Sequence, residues 1–236
     1  MEMKLVIVLL ALILAPLSDA VPDQSPNGVG NWFSRLPNAQ EKLTRLHFYI
    51  HDIMTGPNPT TVPIAQANIT DASPTKFGLV YVMDSPLTVG PSLDSKIIGR
   101  CQGTFAFASQ EEIGLLLTLN FVFTDGIYAG STLSVLGPKK RDNFYREYPI
   151  IGGSGVFRLA EGVSTDHTYQ GTVAPGAKAP TDTTVYVLHY DVAAANYAEE
   201  VEMNHEYAEV IEFNRNQKYA EDIELTKNLI NQVKFN

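Results

Sequence analysis

Residues 115–137, LLLTLNFVFTDGIYAGSTLSVLG, constrain this chain more than any other stretch. Leu115, Leu117, Leu119, Phe121 and Phe123 fall on one parity, whereas Thr118, Asn120 and Thr124 share the other with Leu116 and Val122. Side chains alternate faces along a strand, so this spacing predicts a long strand with one wholly apolar face. Asp125-Gly126 interrupts the pattern, a second β-prone run covers 131–136, and Gly137-Pro138 is expected to end it. The unit reads as a hairpin with a loop longer than a tight two-residue turn. Its apolar face needs an apolar surface opposite.

Further short β-like runs supply that surface. They cover 44–53, 63–68, 78–84, 97–108, 148–159, 163–171 and 183–190, while 85–93, with two prolines and a glycine, reads as a loop. Gly99 and Gly103 lie inside a predicted strand and suggest bulges or bends that let a sheet curl. About eight strands at short spacing with almost no helix between them indicate an antiparallel barrel or sandwich, and the internal glycines favour the barrel. Gly152-Gly153-Ser154-Gly155 is not expected to cradle phosphate, because a phosphate loop opens into a helix and this one runs into another β-like stretch.

Both ends of the chain differ from this middle. Lys4 precedes an apolar run over 5–15, and Ser18-Asp19-Ala20 places small residues where a signal peptidase reads, so residues 1–20 are expected to be a signal peptide. The run is too short for ~30 Å of hydrocarbon, so a secreted, extracellular protein without a transmembrane anchor is expected. Residues 21–43, rich in Pro, Gly, Asn and Ser, read as a mostly irregular arm. After Asp191 glycine and proline vanish and acids outnumber bases. Residues 193–236 read either as one or two appended helices or as a solvated tail.

Composition narrows the chemistry. Cys101 is the only cysteine, so an intramolecular disulfide is excluded and stability must come from a core. Five histidines show no metal-ligand spacing, and no metal or other cofactor is expected. A formal charge of -9 argues against nucleic acid as a partner. Asn68-Ile69-Thr70 is a glycosylation sequon. Asp52 is in phase with Leu46, Phe48 and Ile50. It is either buried with a compensating partner or stands at the strand end in water, capping the Gly56-Pro57 turn.

Five segments in order, FYIHDI (48–53), IIGRCQGTFAFAS (97–109), FVFTDGIYAGSTLSVLG (121–137), YREYPIIGGSGVFRLAEG (145–162) and VYVLHYDV (185–192), resemble the dirigent proteins of plants. The resemblance implies an all-β fold, an antiparallel eight-stranded up-and-down barrel over 44–192, usually assembled as a homotrimer. It implies phenolic small molecules as ligands. In the best known activity of the family, two monolignol radicals made by a separate laccase or peroxidase couple with one stereochemistry, in lignan or lignin formation. Some relatives instead act on isoflavonoid intermediates without an oxidant, and a non-catalytic binding barrel in defence is a third reading.

Carried over residue by residue, the family's aspartate falls on Asp52 and its arginine on Arg146, with Phe48, Ile50, Phe105 and Lys139 expected along the ligand cavity. Asp52 and Arg146 would compensate each other's burial across one cavity. The alternative for Arg146 is a surface pair with Glu147 or Asp142. Two positions depart from the pattern of pinoresinol-forming members. Lys139 stands where they have a second aspartate, and Phe105 stands where a tyrosine is common; Asp142 is the candidate substitute acid.

Overall fold

The computed structural model describes residues 21–140, 144–172 and 178–192. The expected signal segment, the acidic extension 193–236 and Asp142 lie outside the described residues. Nine strands form one antiparallel sheet: β1 (Gln40–Ile50), β2 (Thr61–Ala65), β3 (Val80–Thr88), β4 (Ile97–Phe107), β5 (Gly114–Phe123), β6 (Thr132–Lys140), β7 (Arg146–Ser154), β8 (Glu161–Thr168) and β9 (Thr181–Asp191). The hydrogen-bonded order is β1-β9-β8-β7-β6-β5-β4-β3-β2, and β1 also pairs with β3. That second pairing, Tyr49 with Thr88 and Ile50 with Leu87, closes eight strands into an up-and-down barrel. β2 is the ninth, laid on the other half of the same β3 edge from Thr61–Met83 to Ala65–Val80. Closure leaves β2 as the only strand of this sheet without a second neighbour.

Alternation sets what faces inward. In β5, Leu117, Leu119, Phe121 and Phe123 are buried while Leu116 and Thr118 are exposed. In β1 the inward set is Thr44, Leu46, Phe48 and Ile50. Phe48, 1% exposed, meets Phe121 edge-on with centroids 5.0 Å apart and also packs on Phe123. The predicted hairpin and its apolar face are therefore the barrel's packed wall. Barrel residues Glu41–Tyr190 belong to one compact unit.

Four local expectations are corrected. β3 continues through Pro86, where a loop was expected over 85–93, because the Pro86 carbonyl accepts from the His51 amide and β1 pairs at the next two residues. β6 does not stop at Gly137-Pro138 but runs to Lys140, paired with β5 as far as Gly114. A proline is tolerated there because the β6–β7 ladder ends at Val135–Ile150, leaving no acceptor waiting for its missing N–H. Gly99 borders a bulge, as expected, since Leu87 pairs with Gly99 but Thr88 with Ile97, whereas Gly103 marks none, both of its ladders running through it without a shift. Gly103 allows close approach instead: a Cβ on it, where φ is +151°, would lie 2.2 Å from the Thr118 carbonyl oxygen. Gly103→Ala is expected to lower unfolding free energy by about 1–3 kcal/mol, read by urea unfolding.

The fourth correction is α1, a helix at Pro26–Arg35 within the stretch read as irregular. Ser25 Oγ accepts the Gly28 amide at 3.0 Å, and Pro26 sits at the first helical position, where its missing N–H costs nothing. Gly28 and Gly30 hide this helix from propensity. The described part of the second compact unit, Trp32–Gln40 with Asp191 and Val192, carries the end of α1 and a 3-10 turn at Leu36–Asn38.

One buried ring makes stability pH-dependent. His51 is 6% exposed, and its Nε2 lies 2.8 Å from Thr88 Oγ1. The Thr88 hydroxyl is donated to the Gly90 carbonyl, so His51 Nε2 is the donor. Burial holds the imidazole below its ordinary value of 6.5. Above that pH the ring is neutral in both folded and unfolded chains. Below it the unfolded chain protonates first, and stability falls until the folded ring titrates as well. The drop in melting temperature from pH 6.5 to about pH 5 should be smaller in His51→Gln than in the parent.

Candidate functional site

The inward faces of all eight barrel strands, with Asp52 just beyond β1, line one cavity of about 100 Å³. Its wall is mostly apolar: Ile50, Met83, Leu117, Leu119, Phe121 and Val135, with Phe105 stacked at 4.9 Å on Tyr81. Apart from Asp52 and Cys101, its polar side chains come from β6 to β9. Because β6 runs on past Gly137, Lys139 keeps the phase of Leu133 and Val135 and turns inward.

The polar centre is Asp166, 5% exposed, which projects inward from β8 beside Ser164. Its Oδ1 accepts from Arg146 Nε, opposite it in the β7–β8 register. Its Oδ2 accepts from the Tyr148 hydroxyl at 3.0 Å and from Lys139 Nζ at 3.4 Å. Two cations and a phenol thus compensate one buried carboxylate, as burial requires. Tyr148 stays protonated: burial, and then the Asp166 carboxylate beside it, hold its hydroxyl well above the ordinary tyrosine range. Thr183 lies opposite Asp166 on β9. The hydroxyls of Ser164 and Thr183, both 1% exposed, line the cavity without a hydrogen-bond partner among the described residues.

Asp52 supplies a second carboxylate to the lining. Lys178 Nζ reaches both its Oδ2 and its backbone carbonyl, each at 3.2 Å. The other carboxylate oxygen, Oδ1, is buried without a partner among the described residues. Cys101 completes the polar inventory; burial pushes its thiol up to about 12, so it is protonated and inert at neutral pH.

Of the residues expected at the site, Asp52, Ile50, Phe105 and Lys139 share this lining. Phe48 packs beneath it in the core, and Arg146 stands behind Asp166 rather than on the cavity wall. Two expected pairings are corrected. Asp52 and Arg146 do not compensate each other; Lys178 and Asp166 are their respective partners. Arg146 is also no surface residue, since its side chain turns inward while Glu147 is exposed. Asn68 is exposed, and the sequon hydroxyl of Thr70 is buried, donating to the Phe77 carbonyl at 2.9 Å.

Sequence reasoning missed Asp166, Tyr148, Ser164, Thr183 and Lys178. The signal available for the first four was parity: counting back from buried Val185 and Val187 places Thr183 inside, and register with β8 then places Asp166 and Ser164. Lys178 follows residues 173–177 and carried no signal.

Comparison with known proteins agrees with this architecture. The dirigent-like protein family profile matches residues 43–194. The chain is 42% identical over 152 residues to pterocarpan synthase 1 of Glycyrrhiza echinata, covering 64% of this chain and 80% of that protein. It is 44% identical over 149 residues to dirigent protein 21 of Arabidopsis thaliana, covering 63% and 78%. Two solved structures of pterocarpan synthase dirigent proteins superpose with a TM-score of 0.56 each, at 41% and 42% identity. They cover 64% of this chain and 90% and 99% of their own. No helix among the described residues is long and apolar enough to cross a membrane. With the family profile spanning the closed barrel and its cavity, this chain belongs to the dirigent-like protein family.

Proposed function

We propose that this dirigent barrel converts a phenolic benzylic alcohol of the isoflavonoid class to a cyclised ether by loss of water, without an oxidant. The observation that carries this reading is a carboxylate on an apolar cavity: Asp52 lines it, and its Oδ1 is buried with no partner among the described residues. Dehydration needs a proton carrier and no oxidant, and a carboxylate so placed supplies the first. The relatives named pterocarpan synthase supply the substrate class.

Asp52 is the proton carrier. The substrate's phenol gives its proton to solvent, and Asp52, having taken up a proton from solvent, hands it to the benzylic hydroxyl. The C–O bond breaks, water leaves, and the phenol oxygen's electrons give a quinone methide. A second phenol oxygen of the same molecule then attacks the benzylic carbon. Its proton passes to the former phenol oxygen, and one water has been lost overall. Apolar walls exclude solvent that would otherwise trap the quinone methide. Lys178 holds Asp52 Oδ2, leaving Oδ1 for the substrate.

The test is incubation of the barrel with an isoflavanol, without oxidant, followed by chiral chromatography. One enantiomer of the cyclised ether is expected. If the barrel acts only when laccase and coniferyl alcohol are present, yielding optically active lignan, the radical-coupling reading replaces this one.

The protein is further proposed to be secreted, to assemble as a homotrimer and to carry a glycan on Asn68. Exposure of Asn68 supports the last of these. Expressed in a plant secretory system, the chain should lose about one N-glycan of mass on glycosidase treatment, and Asn68→Gln should not.

A further inference from the structure

We infer that Lys139, with the hydroxyls of Ser164 and Thr183, forms an oxyanion subsite that binds a phenol in its ionised form. This deepens the reading given under Proposed function by assigning the end of the cavity that receives the phenol oxygen.

Charge is the first support. Asp166 faces two cations, Lys139 and Arg146, so this end of the cavity carries an excess positive charge. The Asp52 carboxylate does not cancel it, because Lys178 pairs with Asp52. Three cations therefore stand against two carboxylates around an apolar space. The remaining titratable groups on the lining, Tyr148 and Cys101, are neutral phenol and thiol.

Hydrogen bonding is the second and independent support. Arg146 Nε and the Tyr148 hydroxyl are committed to Asp166 at close range. Lys139 reaches Asp166 only at 3.4 Å, and its ammonium has three protons to donate. Ser164 and Thr183 offer two hydroxyl donors that no group among the described residues accepts. Buried hydroxyls without partners are rare and costly, and here both line the same cavity as the ammonium. A ligand oxygen bearing negative charge satisfies all three. A neutral phenol can donate to a serine or threonine hydroxyl, but the ammonium has only protons to offer, so Lys139 favours the ionised form. The chemistry is specific to this chain's lysine, since an acid at 139 would repel the same anion.

The probe is 4-nitrophenol, a single-ring phenol whose neutral and ionised forms absorb at different wavelengths. Titrated against pH with saturating barrel, it should ionise about one pH unit or more below its free value, a tenfold or greater preference for phenolate, its proton going to solvent. Lys139→Met should bind the probe with the midpoint at or above the free value, and Lys139→Arg should keep the depressed midpoint. Ser164→Ala combined with Thr183→Val should weaken phenolate binding several-fold while leaving the melting temperature near that of the parent. A midpoint in the parent that is unshifted or raised overturns the proposal. So does a depressed midpoint that survives Lys139→Met. An unshifted midpoint with oxidant-free turnover intact removes only the oxyanion subsite, whereas no saturable binding of the probe removes the cavity as the phenol site altogether.

Discussion

Asp52→Asn is expected to reduce oxidant-free cyclisation by about 10²- to 10⁴-fold in kcat, the usual worth of a positioned proton carrier. The substitution keeps the shape of the side chain and its contact with Lys178 but removes the ability to take and return a proton. KM should change little, because the apolar wall and the Lys139 end that hold the ring are untouched. The fold should also be unaffected. Lys178 is largely exposed, and a half-exposed pair of this kind contributes at most about 1 kcal/mol. Turnover at the parent rate in Asp52→Asn, with an intact melting curve, would remove Asp52 from the chemistry. Asp52→Glu should recover part of the activity, since it restores the carboxylate on a longer stem.

Arg146→Met carries the largest expected loss of stability. The guanidinium is the principal counter-charge of a carboxylate that is 5% exposed. Without it Asp166 keeps one phenol and an ammonium at 3.4 Å. Breaking one side of a buried pair costs about 3–5 kcal/mol, because the remaining charge is desolvated without compensation. For a barrel of this length that corresponds to a fall in melting temperature on the order of 10 °C. Arg146→Met combined with Asp166→Leu should regain most of the loss, since an apolar pair has no charge left to strand. A double variant as unstable as the single would mean that Arg146 contributes by packing rather than by pairing.

These two residues also mark how far the sequence could be read. Asp52 was visible because it is an acid in phase with three apolar residues, a contradiction that local pattern exposes. Arg146 was visible through the family motif, but its partner was not. β8 reads Val163-Ser164-Thr165-Asp166-His167, polar on both parities, so no apolar face announces which side is inside. Only pairing with β9, where Val185 and Val187 are buried, settles the phase.

Proline misled for a related reason. Pro86 and Pro138 lack the N–H that an interior strand needs, and sequence reasoning therefore ended strands at both. The register leaves the missing donor of Pro138 facing a gap in the ladder, which local sequence does not reveal. The consequence reaches the site, because the four-residue extension of β6, from Gly137 to Lys140, is what carries Lys139 into the cavity. By contrast, β5 was legible to within a residue at either end, since its apolar face is continuous from Leu115 to Phe123 and nothing interrupts the alternation.

The account centres on a cavity that presents Lys139 and Asp52 to the same substrate. A crystal structure of the Asp52→Asn variant with an unreacted isoflavanol tests it most directly. The phenol oxygen is expected at Lys139, Ser164 and Thr183, with the benzylic hydroxyl within about 3.2 Å of the residue 52 side chain. A ligand seated outside the barrel, or one whose phenol oxygen points away from Lys139 while its benzylic carbon lies beyond reach of position 52, would contradict it.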